Sequence, residues 1–139
     1  MSEHTCESVV VHCIDFRFRK RLNEYLMGRF PDGYDLIASA GAVKRLLANG
    51  GENNSAMDDL EISHRLHDPK LIVLIQHEDC GAYGGTKAFE SAEMEKEFQK
   101  DELQKTAELL KKKFPDLEVE CLFARLSGDV DIIVPAVRV

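Results

Sequence analysis

The longest uninterrupted apolar run in this chain of 139 residues is Leu71-Ile72-Val73-Leu74-Ile75. An apolar run without polar alternation is typical of a strand that is buried on both faces of a parallel sheet. Ser8-Val9-Val10-Val11-His12 is a second β-rich run of the same kind. Weaker strand patterns occupy residues 34–38, 119–123 and 131–134. The sequence therefore predicts a sheet of four to five strands.

Helical patterns separate these strands. Amphipathic spacing predicts helices over residues 19–30, 42–48, 55–67 and 87–114. The last of these helices is expected to bury Phe98 and Leu103 and to keep Glu95 in solvent. Strands that alternate with helices predict an α/β fold with a mainly parallel sheet flanked by helices. At this length we expect a single domain over residues 1–139.

Composition and charge restrict the partners. The chain has 18 Lys and Arg against 25 Asp and Glu, which gives a formal net charge of −7. Affinity for a phosphate backbone comes from Lys and Arg, so this acidic chain argues against nucleic acid. No apolar run approaches the ~20 residues of a membrane span, and the polar residues 1–6 do not resemble a secretory signal peptide. We therefore expect a cytoplasmic protein with no membrane partner and no nucleic-acid partner.

Potential metal ligands follow the two strongest strand patterns. Cys13 comes directly after the first strand, and His77 and Cys80 follow the third. In open α/β sheets, ligands bind outside the carboxyl ends of the strands. If these strands are neighbours, the two cysteines and the histidine meet there. Such a set is one that zinc takes in catalytic sites, with a fourth position left for water.

Asp15 and Arg17 stand at alternate positions after Cys13. In an extended segment the Asp15 carboxylate points to the same side as Cys13 and can accept a hydrogen bond from a zinc-bound hydroxide. The Arg17 guanidinium can hold that carboxylate in a bidentate pair and keep it ionised. The plain alternative is a surface ion pair worth under ~1 kcal/mol. Beside the expected zinc ligands, we assign Asp15 and Arg17 a catalytic role.

The order of the two motifs resembles the paired signature of the β-class carbonic anhydrases: Cys13-x-Asp15-x-Arg17, then His77-x-x-Cys80-Gly81. Residues 37–42 are similar to the Ala-Gly segment of that family, and residues 59–62 to the start of its Ser-Leu-Glu-Tyr helix. The resemblance covers residues 8–85. Gln76 and Glu78 depart from the family pattern, which commonly has Gly and Thr or Ser there.

This resemblance implies a β-carbonic-anhydrase-like fold and a zinc enzyme that interconverts carbon dioxide and bicarbonate. It implies that Cys13, His77 and Cys80 are the zinc ligands, and that Asp15 can bind the zinc in an inactive state when Arg17 releases it. It also implies dimers whose interface closes the active site. A late strand at the sheet edge gains by pairing across a twofold axis. We therefore expect a homodimer or a higher homo-oligomer.

Three other functions stay open. The same zinc site could hydrolyse another small linear substrate, carbonyl sulfide or carbon disulfide. The chain could be an inert zinc-binding module in which Asp15 permanently closes the coordination sphere. Thiol redox catalysis through Cys13 or Cys80 is disfavoured, because no resolving cysteine stands at close spacing.

A few further residues are candidates for supporting roles. Gly41 and Gly81 are expected to let the main chain approach the zinc pocket without a Cβ atom. His64 and His67 are candidate proton relays, although two histidines on one helical face are more often surface residues. Cys6 has no partner that the sequence identifies.

Overall fold

The computed structural model describes residues 4–135. The strands in this part of the chain are β1 (Ser8–His12), β2 (Asp35–Ala38), β3 (Leu71–His77), β4 (Glu118–Ala124) and β5 (Val130–Val134). The α-helices are α1 (Arg19–Arg29), α2 (Val43–Leu46), α3 (Ser55–His67) and α4 (Ala92–Lys113). Short 3-10 turns cover Phe16–Phe18, Ala48–Gly51, Gly81–Tyr83 and Thr86–Ala88. Within the described residues, no helix combines the length and apolar character that a membrane span requires.

All five of these strands form one sheet in the order β2-β1-β3-β4-β5. β1 pairs in parallel with β2 and β3, β3 pairs in parallel with β4, and β5 runs antiparallel to β4. The predicted α/β fold with a mainly parallel sheet is therefore confirmed. In this register His12 lies opposite Ile75. The residues that follow β1 thus emerge beside the carboxyl end of β3.

Helices cover both faces of the sheet. One face packs against α2, α3 and α4 through a core that includes Val9, Val11, Ile72 and Leu74. The other packs against α1 through a core that includes Val10, Leu26, Val73 and Ile75. Every residue of β1 and β3 is buried, which explains the unbroken apolar runs. Full burial of one such side chain contributes about 1.5–3 kcal/mol to the free energy of folding. The two strands therefore hold the loops at their ends in fixed positions.

Helix α4 differs from its prediction in both start and orientation. It begins at Ala92, after Ser91 has capped it by accepting a hydrogen bond from a backbone N–H of the first turn. Glu95 is only 1% exposed, whereas Phe98 is 40% exposed. The expected burial of Phe98 and exposure of Glu95 are therefore wrong. The first turns of α4 pack over polar loops at the end of β3, and a carboxylate that receives hydrogen bonds there is more favourable than a phenyl ring.

Candidate metal centre

Cys13, His77 and Cys80 come together at the carboxyl ends of β1 and β3. All three are buried, and their candidate ligand atoms lie within 4.8 Å of one another. The two Sγ atoms are 4.0 Å apart. Tetrahedral zinc with Zn–S bonds of ~2.3 Å places two sulfur ligands about 3.8 Å apart. The spacing of the sulfurs therefore fits two thiolates on one ion.

The imidazole of His77 is oriented as a metal ligand would be. Its Nδ1 atom donates to the Glu78 carbonyl at 2.7 Å, which leaves the lone pair on Nε2. That Nε2 atom is buried and has no hydrogen-bond partner among the described residues. The Phe18 ring packs on the imidazole with centroids 4.4 Å apart and limits its rotation. A buried polar atom without a partner is costly, and a metal ion would satisfy it.

The two sulfur atoms are hydrogen-bonded to each other. This contact with Cys80 lowers the pKa of Cys13, although burial opposes the charge. The Gly41 backbone N–H also donates to this sulfur at 3.4 Å. The same pairing and burial raise the pKa of Cys80. The cluster therefore offers one ready thiolate and a second that a cation would create.

Asp15 and Arg17 form the bidentate pair that their spacing predicts. Arg17 Nη2 lies 2.6 Å from Asp15 Oδ2, and Nε lies 3.1 Å from Oδ1. The guanidinium lowers the pKa of Asp15, so this carboxyl is ionised at neutral pH. Asp15 Oδ2 is also 3.9 Å from His77 Nε2. The ion pair therefore lies against the ligand cluster, and its arginine holds the carboxylate in place.

Asp79 is a second anchor for Arg17 that the sequence analysis missed. Its Oδ2 atom accepts from Arg17 Nη1 at 3.0 Å, and its carbonyl accepts from Nη2 at 2.9 Å. The guanidinium is thus held between two carboxylates on different loops. The signal that could have found Asp79 is its place between His77 and Cys80, inside the His77-x-x-Cys80 motif.

The loop that carries Asp79 is fixed by a buried carboxylate. Glu95 of α4 accepts from the Asp79 backbone N–H at 2.8 Å and from Thr86 Oγ1 at 3.0 Å. The Thr86 backbone N–H donates to Asp79 Oδ1 at 2.8 Å. Gly85 has a φ of +75°, and a Cβ there would come within 2.8 Å of the same oxygen. Both Glu95 and Gly85 are therefore positioning residues for the loop.

Gln76 stands where the sequence resemblance predicts a small residue, and hydrogen bonds fix its side chain. Its Oε1 atom accepts from the Val43 backbone N–H at 3.1 Å. Its Nε2 atom donates to the Gly41 carbonyl at 3.2 Å and to Gln99 Oε1 at 2.9 Å. This buried amide thus ties β3 to the segment that carries the Gly41 N–H to the Cys13 sulfur.

The two glycines of the pocket behave differently. Gly41 has a φ of +79°, and a Cβ there would come within 3.0 Å of the Ala82 side chain, which confirms the close approach expected. Gly81 lines the cleft and opens the 3-10 turn Gly81–Tyr83. Its φ is not among the positive values of the described residues, and a Cβ there would meet no described atom within 4 Å, so its expected role beside the metal stays a prediction.

The cluster opens into a cleft of about 800 Å³, lined by Cys13, Ile14, Asp15, Phe16, Arg17, Asp79, Gly81, Gly84, Gly85 and Lys87. Phe16 and Ile14 are 83% and 59% exposed, so the lip of the cleft has an apolar part beside the charged Arg17, Asp79 and Lys87. Glu78 does not enter the cleft, because its Oε1 atom accepts from the Leu126 backbone N–H at 2.9 Å. The space around the cluster is therefore accessible to a small molecule.

The candidate proton relays lie elsewhere. His64 Nε2 is 2.9 Å from Asp116 Oδ2, and His67 Nδ1 is 2.6 Å from Asp35 Oδ2. His67 is at the amino end of the sheet, and His77 at the carboxyl end of β3. A strand of that length spans about 20 Å, so neither candidate relay lies close to the cluster. Helix α3 runs from the carboxyl end of the sheet toward its amino end and ends far from the cluster.

Comparisons with known sequences identify related proteins. The model of a family described as "Putative carbonic anhydrase" matches residues 3–134. An uncharacterized protein of Rickettsia conorii is 29% identical over 133 residues, which cover 91% of this chain and 71% of that protein. An uncharacterized protein of Rickettsia bellii is also 29% identical over 133 residues, which cover 91% of this chain and 80% of that protein.

Solved structures with the same fold include β-carbonic anhydrases. A tetrameric β-carbonic anhydrase of Sordaria macrospora superposes with a TM-score of 0.66 at 15% identity, over 98% of this chain and 84% of that one. The β-carbonic anhydrase CcaA gives a TM-score of 0.69 at 16% identity, over 99% and 81%. The Aspergillus fumigatus enzyme CafA gives 0.61 at 16% identity, over 93% and 76%. At these identities the likeness shows a common fold.

Proposed function

Because this chain belongs to the carbonic anhydrase family, we propose that it catalyses the reversible hydration of carbon dioxide, with zinc held by Cys13, His77 and Cys80. The observation that carries this proposal is the buried, unpartnered Nε2 atom of His77 beside two sulfur atoms. When bound, zinc lowers the pKa of a coordinated water to about 7 and so supplies hydroxide near neutral pH.

The chain's own residues would orient that reaction. Asp15 is ionised and adjacent to the ligand cluster, so its carboxylate can accept a hydrogen bond from the attacking hydroxide and orient it. Arg17 keeps this carboxylate charged and holds it in an ion pair through two hydrogen bonds. Asp79 anchors the other side of the guanidinium. The arrangement favours a catalytic site over an inert module, in which Asp15 would have to leave Arg17.

The apolar part of the lip of the cleft supports a proposal about assembly. A side chain as exposed as Phe16 gains when a second surface covers it. We propose that two copies of the chain meet at this lip and narrow the cleft, as a homodimer or within a higher homo-oligomer. The cytoplasmic location and the single domain over residues 1–139 stay predictions.

Two measurements together test the proposed function. Elemental analysis is expected to find zinc on the purified protein and on Asp15→Asn, but to find it reduced in Cys13→Ser. Stopped-flow measurement of carbon dioxide hydration is expected to show turnover for the wild type and its loss in both variants. Asp101→Asn, an exposed site on α4, and Cys121→Ser, a buried thiol outside the cluster, are the matched controls.

The alternatives give different results in the same assays. Bound zinc with no turnover at neutral or alkaline pH would identify an inert zinc-binding module. Hydrolysis of carbonyl sulfide or carbon disulfide without hydration of carbon dioxide would identify the related hydrolase. Equal zinc content in the wild type and in Cys13→Ser would contradict the assigned ligands.

A further inference from the structure

A second group of potential metal ligands lies at the opposite end of the sheet. Candidate ligand atoms of Cys6, Asp35 and His67 lie within 4.8 Å of one another. Cys6 precedes β1, Asp35 is the first residue of β2, and His67 is the last residue of α3. Three segments that are distant in sequence therefore bring a sulfur, an oxygen and a nitrogen to one place.

Hydrogen bonds hold these three residues in position. Asp35 Oδ2 receives the Ser63 hydroxyl at 2.6 Å and lies 2.6 Å from His67 Nδ1. The Cys6 backbone N–H donates to the His67 carbonyl at 3.1 Å. On the far side of the ring, His67 Nε2 lies 3.2 Å from His4 Nε2. The carboxylate and the imidazole are thus each oriented by a further residue, as ligands of protein metal sites are.

The electrostatics of this group favour a cation. Burial and the negative charge of Asp35 raise the pKa of the Cys6 thiol, so the group does not form a thiolate by itself. A divalent ion would reverse that balance by compensating both charges. The charged residues that line a cavity of about 510 Å³ beside Cys6 are Glu7, Asp32, Asp68 and Lys70, and Lys70 pairs with Asp68 at 3.1 Å. The acidic residues outnumber the lysine, so the local field favours cations.

We propose that Cys6, Asp35 and His67 form a second metal site for a borderline divalent ion such as Zn²⁺, which accepts sulfur, nitrogen and oxygen ligands together. Binding of the ion would replace the 2.6 Å hydrogen bond between His67 Nδ1 and Asp35 Oδ2. Nδ1 would then bind the ion, and the ring proton would move to Nε2, where His4 Nε2 accepts it. The Cys6 thiol proton is released when the ion binds. The side chains of His67 and Asp35 are 31% and 28% exposed, so solvent can occupy the fourth position.

This site does not depend on the function proposed for the first cluster. Its ligands join the segment before β1 to β2 and α3, so an ion there stabilises the folded chain through its binding free energy. Occupancy at the second site is therefore expected to raise the unfolding temperature even when the first cluster has lost its sulfur atoms.

Zinc stoichiometry in the full chain tests the site. After equilibration with buffered Zn²⁺, Cys13→Ser/Cys80→Ser is expected to retain one zinc per chain by elemental analysis. Adding His67→Gln is expected to remove it. Adding His64→Gln is the matched control, because His64 lies on the same helix and contacts Asp116 instead. Equal zinc loss from the His64 and His67 variants would overturn the proposal.

Protection of Cys6 from alkylation provides a second measurement. It uses proteins in which Cys13, His77 and Cys80 are all unchanged. Zn²⁺ is expected to slow alkylation of Cys6 at least tenfold, as located by peptide mass spectrometry, in the wild type and in His64→Gln. The same ion is expected to give no protection in His67→Gln or Asp35→Asn. Alkylation of Cys6 at one rate with and without Zn²⁺ in the wild type would refute the site. Failure of the first cluster would instead appear at Cys13 and Cys80, with Cys6 still protected.

Discussion

Replacement of Glu95 by alanine is expected to destabilise the protein, because it removes the acceptor that holds the Asp79 loop. Glu95 is 1% exposed, and it accepts from the Asp79 backbone N–H at 2.8 Å and from Thr86 Oγ1 at 3.0 Å. A buried donor that loses its acceptor costs about 1–3 kcal/mol, and two donors lose theirs here. Water that enters the space left by the side chain recovers part of the two bonds, so we expect a net loss of about 2–4 kcal/mol.

Glu95→Gln separates the hydrogen bonds from the charge and from the side-chain volume. The amide oxygen of glutamine can still accept from the Asp79 N–H, and its NH₂ group can donate to the Thr86 hydroxyl, which also accepts. We therefore expect this variant to lose about 1 kcal/mol or less. Glu97→Ala, an exposed position on the same helix, is the control and is expected to stay within about 0.5 kcal/mol of the wild type.

Urea unfolding at a fixed Zn²⁺ concentration measures these differences, and hydrogen exchange of the Asp79 amide reports the loop directly. Exchange is expected to be fast in Glu95→Ala and slow in Glu95→Gln. Equal destabilisation by alanine and glutamine would refute the role given to the hydrogen bonds. A loss of less than about 0.5 kcal/mol in Glu95→Ala would show that the loop does not need this carboxylate.

Three further predictions concern backbone strain, acid stability and assembly. Gly85→Ala should lower the free energy of unfolding in urea by about 1–3 kcal/mol, because φ is +75° and the new Cβ would lie 2.8 Å from a loop carboxylate oxygen. Gly28→Ala is the control: it lies in α1 with no described atom within 4 Å of the added Cβ, and it should raise the free energy of unfolding by about 0.5–1 kcal/mol. A loss at Gly28 as large as at Gly85 would contradict this. The ion pair with Lys96 lowers the folded-state pKa of Asp131 below its ordinary 3.8. The stabilisation by this ion pair is therefore present above pH 3.8 and is lost as pH falls through the lower folded-state pKa. Unfolding measured across the acid range should show that loss, under ~1 kcal/mol, in the wild type, and Asp131→Asn should lack this contribution. Phe16→Ser should lower the mass measured by light scattering without reducing stability, because Phe16 is 83% exposed, and an unchanged mass would exclude this face from the interface.

Much of the fold was predictable because the strongest signals were local. β1 and β3 are buried on both faces, and an unbroken apolar run is the sequence pattern that such burial requires. The ends of α3 were also predictable, since Asn54 caps its first turn and Asp68 takes the left-handed conformation that ends it. The meeting of Cys13, His77 and Cys80 was predictable because residues that follow neighbouring parallel strands lie together at the carboxyl edge of the sheet. That prediction requires no information about side-chain packing.

The network behind that cluster depended on contacts between distant segments. The chain alone shows that Glu95 and Phe98 lie on a helix, but not which of them faces the sheet, because orientation depends on what the helix packs against. Gln76 likewise finds its partners on two other segments. Cys6, Asp35 and His67 stand far apart in sequence and share no motif. Periodicity reports the environment of one element at a time, and only the folded chain decides which polar groups of different elements meet.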